Sequence, residues 1–212
     1  MRAAEIRKAA SESLLEFVAK HGKEVVMDTG GSLLVSEIML QADGGKYSRS
    51  FRLPSFTNDQ SSRIHSSRTD RSAATETLLE LIAIAYPTPA TSLTHPIDAS
   101  HVARLYKTLL QGGHYDQSSK SVTKPSSSFS ASAFASSFLA AVGRDVTMAM
   151  AQGNGAFVVA ELCRQVSTGG TDEEKRLLRT WFTQEGVSEE VRDKDIRGKS
   201  VLLESIDALL ST

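Results

Sequence analysis

Cysteine is all but absent, since Cys163 stands alone in a 212-residue chain. A single thiol allows no intrachain disulfide and no cysteine-based metal site, which fits a reducing, intracellular compartment. A surplus of either charge is missing too: 24 Lys and Arg face 25 Asp and Glu, for a net charge of −1. No global field then advertises nucleic acid or membrane, and such a partner has to be met locally. Long apolar runs are lacking. The longest, Leu78 to Tyr86, is broken by Glu80 and falls far short of the ~20 residues that span a bilayer. Residues 1–19 mix Arg2, Arg7 and Lys8 with Glu5, Glu12 and Glu16, unlike a leader, so this start reads as structure.

Signatures of catalysis are missing as well. His21, His65, His95, His101 and His114 show no metal-ligand spacing and no HExxH pair, so surface or capping roles are expected. Gly153-Asn154-Gly155 lacks the preceding strand and the third glycine of a phosphate cradle, and helix entry explains it better. There is no Walker lysine and no Gly-x-Ser-x-Gly elbow. Cys163, next to Leu162 on a helical face, reads as a buried and inert thiol. The expectation is a non-enzyme with no catalytic residue, no metal and no cofactor.

What is present is a helical pattern nearly everywhere, with apolar residues recurring at three- and four-residue steps and 40% apolar content, enough for a core. Leu14, Phe17 and Val18 mark one face of a helix over 4–19, where Ser13 and Glu16 resemble a capping box. Leu34, Val35, Ile38 and Met39 mark another over 32–41, punctuated at its start by Gly30 and Gly31. A helix over 72–85 rests on Leu78, Leu81, Ile82 and Ala85 and is stopped by Pro87 and Pro89. Asp98 or Ser100 can cap the next, in which Val102, Leu105, Tyr106 and Leu109 precede Gly112 and Gly113. Phe134, Phe138 and Val142 predict a fifth helix, and Phe157, Val158, Leu162 and Val166 a sixth. Thr171 with Glu174 forms the best capping box, ahead of Leu177, Leu178, Trp181 and Phe182. Short helices follow over 188–193 and 199–210. Between them, 43–71 and 115–130 read as polar, mobile loops, the second Ser-rich.

Four segments align: GSLLVSE from Gly31, VARLYKT from Val102, GAFVVAE from Gly155 and GKSVLLE from Gly198. With the polar loops removed, they recur about every 43 residues, as stacked helix pairs would. Periodicity alone leaves an irregular helical bundle open. In a solenoid the aligned helices share one surface, so Arg104, Lys107 and Lys199 would face a common groove.

The stretches DTGGSLLVSEIML, ARLYKTLLQGGHYD, GNGAFVVAEL and RGKSVLLESIDALLST resemble the C-terminal part of the Penguin-type Pumilio (PUF) proteins, including their CPL region, from about Leu14 to Thr212. The resemblance implies an all-α, right-handed helical-repeat solenoid of PUF or armadillo kind. It would have a PUF-like repeat over 1–42, a loop over 43–71 and CPL/PUF-like repeats over 72–212. It also implies binding of RNA or DNA without a base code, nucleolar maturation of the large ribosomal subunit, and translational control of messenger RNA. The chain is far shorter than typical members, as a fragment or a divergent product would be.

Residue types agree with sequence-blind binding. The positions that read bases in code-reading repeats carry Ser32, Leu33 and Ser36; Ala103, Arg104 and Lys107; Ala156, Phe157 and Ala160; and Lys199, Ser200 and Leu203. Only the second set suits a nucleic acid; Phe157 reads as core, with base stacking as the alternative. Segments 43–71 and 99–142 each carry +3, which favours phosphate contacts. Candidate RNA-binding residues are Arg104, Lys107, Lys120, Lys124, Arg197 and Lys199. The expected partners are pre-rRNA or mRNA, or DNA, with pre-ribosomal proteins in the nucleolus, and neither a membrane nor a small-molecule substrate. The competing class is a HEAT/armadillo-like scaffold that holds a peptide.

Overall fold

Residues 2–41, 68–87, 93–125, 129–183, 191 and 196–211 are described by the structure, a computed structural model, and the statements that follow concern them. The three- and four-residue apolar spacing is realised as α1 (Arg2–Val25), α2 (Thr29–Gln41), α3 (Arg68–Ile82), α4 (Ser100–Gln111), α5 (Ala131–Ala151), α6 (Ala156–Gly169), α7 (Asp172–Thr183) and α8 (Lys199–Ser211). A 3₁₀ turn over Pro96–Asp98 precedes α4. The β structure among the described residues is a hairpin of β1 (His114–Asp116) and β2 (Ser121–Thr123).

The helices lie in two rows. In one, α1 packs on α3, α3 on α5 and α5 on α7; in the other, α2 packs on α4, α4 on α6 and α6 on α8. The core runs between the rows, and α4 is its best example: Val102, Leu105, Tyr106 and Leu109 are buried as their spacing predicts, with Leu110 added. The Tyr106 hydroxyl, fully buried, donates to the Leu78 carbonyl of α3, so a polar tip inside the core is satisfied across the rows.

Several expectations are corrected. On α1 the buried stripe is Ser11, Leu15, Val18 and Gly22, while Phe17 is exposed and Leu14 half-buried. Ser13 lies inside α1 and caps nothing. On α2 Leu34 is exposed and Leu40 takes its place in the core. Gly30 and Gly31 sit within the first turn of α2, whose Gly31 N–H donates to Asp28 Oδ2 at 2.9 Å. A Cβ on Gly31 would lie 2.0 Å from the Val25 carbonyl oxygen, so that glycine serves the crossing of α1 and α2. Ala99, without a side-chain bond, stands at the N-cap of α4 in place of Asp98 or Ser100. Leu177 is exposed on α7. The helix carrying Phe134, Phe138 and Val142 runs on to Ala151, but breaks at Gly143, whose φ of 70° and ψ of −179° suit only glycine.

The second polar loop is corrected most. Residues 115–130 hold the hairpin, because Asp116 accepts bonds from Ser118 N–H (2.8 Å) and Ser118 Oγ (2.7 Å), an Asx turn that closes the chain on itself. Gly113 fits against the Thr123 carbonyl, only 2.3 Å from where a Cβ would stand. Of the loop expected over 43–71, residues 68–71 belong to α3 and the rest lie outside the described residues. The helix expected over 188–193 also lies outside them, except for Val191, which is helical and buried.

Candidate nucleic-acid interface

Arg104 and Lys107 stand three residues apart on α4, and residues at that spacing share a face. Arg104 is exposed and lines an open cleft between α2 and α4, facing Ser32, Leu33 and Ser36. The aligned first and second segments therefore do meet at one surface. The serine hydroxyls are turned back onto their own helix, Ser32 Oγ donating to Thr29 O at 2.9 Å and Ser36 Oγ to Leu33 O at 2.8 Å. That leaves Arg104 as the charge of the cleft.

Two histidines close its ends. His101 Nε2 lies 3.0 Å from Met27 O. His114 Nε2 lies 2.9 Å from Glu37 Oε1, and the hydrogen bond to that carboxylate raises the His114 pKa, against a smaller opposing effect of burial. His101 thus ties α4 to the turn between α1 and α2, and His114 ties β1 to α2. His95 is buried, accepts from Ile97 N–H through Nδ1 at 3.3 Å and stacks on Tyr86 at 4.1 Å. Among the described residues no group of three or more His, Cys, Asp or Glu could hold a metal ion. Cys163 is fully buried, and burial pushes its thiol up to about 12.

Lys107 reaches the next helix of the row. Its Nζ lies 5.5 Å from the centroid of the Phe157 ring on α6, a cation–π contact worth about 0.5–1 kcal/mol at such a site. Phe157 is half-buried rather than core. Its ring also meets Gly198, where a Cβ would come 2.9 Å from Cε2 and where φ is 92°. The turn that opens α8 is thereby pressed onto Phe157, which brings Arg197 and Lys199 to the row that holds Lys107. Arg197 is exposed, and Lys199 is half-buried with an interaction of its own. A base stacking on Phe157 would have to displace Lys107.

Lys120 and Lys124 are both exposed, but they stand on the hairpin beyond the C-terminus of α4 rather than on the α4 face. The six candidates therefore fall into two groups, Arg104, Lys107, Arg197 and Lys199 along the row and Lys120 with Lys124 on the hairpin.

One cation was missed by the sequence reading. Arg164, exposed, lies seven residues after Phe157 on α6 and therefore on the same face. The spacing was available, but α6 read as core throughout. Its charge is partly spent on Glu161, 3.5 Å away, a buried carboxylate that also accepts from Gln111 Nε2 at 3.0 Å across the α4–α6 seam.

An all-α protein with two rows of helices, one of them bearing exposed cations, is the class these features define. The model of the CPL (NUC119) domain matches residues 1–120, and the chain belongs to that family, which makes it a Pumilio-related protein. The matched stretch runs from α1 to the turn of the hairpin, across the expected boundaries at 42 and 71. No curated protein matches the chain, and no solved structure does.

Proposed function

We propose that the chain is a non-enzymatic RNA-binding module of Penguin type, its two rows forming a right-handed helical-repeat solenoid. In this reading it holds phosphates of pre-rRNA or mRNA with little or no base preference, in nucleolar large-subunit biogenesis and in translational control, and DNA phosphates would be held likewise. The observation that carries the reading is the α4 face, where Arg104 and Lys107 stand together in the middle of the row with Arg197 and Lys199 across Phe157. Cations on adjoining helices suit a polyanion, and contacts to phosphate need no base edge. Membership of the CPL family supports a Pumilio-like role.

A second reading has its own observation. Leu33 and Leu34, 53% and 42% exposed, flank the cleft on α2 and favour a protein-docking scaffold. Salt separates the two. Anisotropy of labelled oligouridine and oligoadenosine should show affinity falling steeply with salt and nearly equally for both strands. Arg104→Glu with Lys107→Glu should weaken both equally and flatten the log–log salt slope by roughly 0.7 per cation removed. Unchanged affinity, with the helical circular dichroism intact, removes the α4 face from the site. Salt-insensitive binding of apolar peptides, with no RNA binding, favours the scaffold.

A further inference from the structure

The hairpin between α4 and α5 carries more than two lysines. Register pairs His114 with Thr123, Tyr115 with Val122 and Asp116 with Ser121. Residues directly opposite each other share a face of the ribbon, and the face alternates along each strand. Tyr115 and Val122 therefore lie on one side, and Lys124 comes just past the end of β2. Tyr115 is 51% exposed, a large flat ring left in solvent.

On the hairpin two lysines face one carboxylate. Its carboxylate, Asp116, is occupied by the Ser118 N–H and hydroxyl, and these bonds hold its pKa below the usual carboxylate range. Lys120 and Lys124 are both exposed and outnumber that single carboxylate. Lys120 also has φ of 49°, the one positive value at a non-glycine residue among them. Glycine or asparagine is the more comfortable choice at such a turn position.

We propose that the hairpin is a single-strand contact, in which the Tyr115 ring stacks on one unpaired base while Lys120 and Lys124 hold the phosphates beside it. A duplex hides its base faces, so an exposed ring flanked by cations selects unpaired over paired RNA while remaining indifferent to which base it meets. The proposal rests on the RNA-binding reading above and adds the class of RNA.

The test compares the full chain with Tyr115→Leu, Tyr115→Phe and Lys120→Gly. The probes are labelled oligouridine, an abasic strand with the same number of phosphates, and an RNA duplex. Tyr115→Leu should weaken oligouridine roughly fivefold or more, leave the abasic strand and the salt slope unchanged, and be rescued by Tyr115→Phe. Lys120→Gly should flatten the salt slope while melting no lower than wild type. If Tyr115→Leu binds oligouridine like wild type, or loses the abasic strand equally, the stacking role is overturned. The RNA reading then survives on the α4 variants. Polyglutamate competing as well as oligouridine makes the hairpin a site for acidic peptides and overturns the proposal. A chain that binds none of the three probes at low salt takes both readings down together.

Discussion

Two histidines oppose each other in their response to pH. His114 has its pKa raised, first by the hydrogen bond to Glu37. Its contribution to stability is full below the unfolded value of 6.5 and is lost as pH rises through the folded value. His95 is the reverse: burial lowers its pKa, so stability is present above 6.5 and declines as pH falls from there towards the folded value. Its bonds explain why it stays neutral, since Nδ1 accepts from Ile97 and Nε2, 3.2 Å from Ile84 O, must carry the proton. Urea midpoints across pH 5–8 should show His114→Gln removing a decline that sets in as pH rises past 6.5, and His95→Gln removing a decline that sets in as pH falls below 6.5. Glu37→Gln must reproduce the His114 profile if that pair is the cause, and a profile left at the wild-type slope excludes it. The capping role of His95 agrees with the sequence expectation, but the pairing of His114 with Glu37 was not legible there, because Glu37 lies on α2.

Local signals were legible in the helices because both halves of each signal sit within a few residues. The capping box opening α7 is made as its spacing predicts: Thr171 N–H donates to Glu174 Oε2 at 2.7 Å, and Glu174 N–H to Thr171 Oγ1 at 3.2 Å. Ser136 of α5 also bonds the Glu174 carboxylate, the main cause of its lowered pKa, so this cap joins two helices. Thr171→Ala should lower stability by about 1 kcal/mol, read as a lower urea midpoint at unchanged m. Thr171→Ser should stay near wild type; an equal loss with serine would trace the effect to the methyl group instead. The hairpin escaped notice for the opposite reason. Its strands are three residues long, and what makes them pair, the Asp116 turn and the fit of Gly113 under Thr123, is visible only once the chain has folded back. Tyr115 was lost with it, having been read as the start of a linker. The break in α5 at Gly143 was hidden by small residues that read as helix on either side.

At the scale of the molecule, alignment of four short segments located the row of α2, α4, α6 and α8 before any contact was known, and Arg104 and Lys107 followed from their spacing on α4. The counterweights did not follow, because the Glu161 carboxylate, the Gln111 and Arg164 that hold it, and the Phe157 beneath Lys107 and Gly198 meet only across helices. The mild net charge of −1 is thus compatible with a basic seam, since the Glu161 carboxylate there is committed to Gln111 and Arg164.

The lone sulfur supplies a built-in clock. Cys163 sits at zero exposure on α6, between its neighbours α4 and α8 in the row, with a thiol held protonated far above neutral pH. An aryl disulfide can exchange with it, forming a mixed disulfide and releasing an aryl thiolate, only when the packing around it opens, so its labelling rate measures how often that part of the molecule opens. That rate should fall when oligouridine is bound along the seam, in proportion to occupancy, whereas a ligand confined to the hairpin would leave the rate untouched.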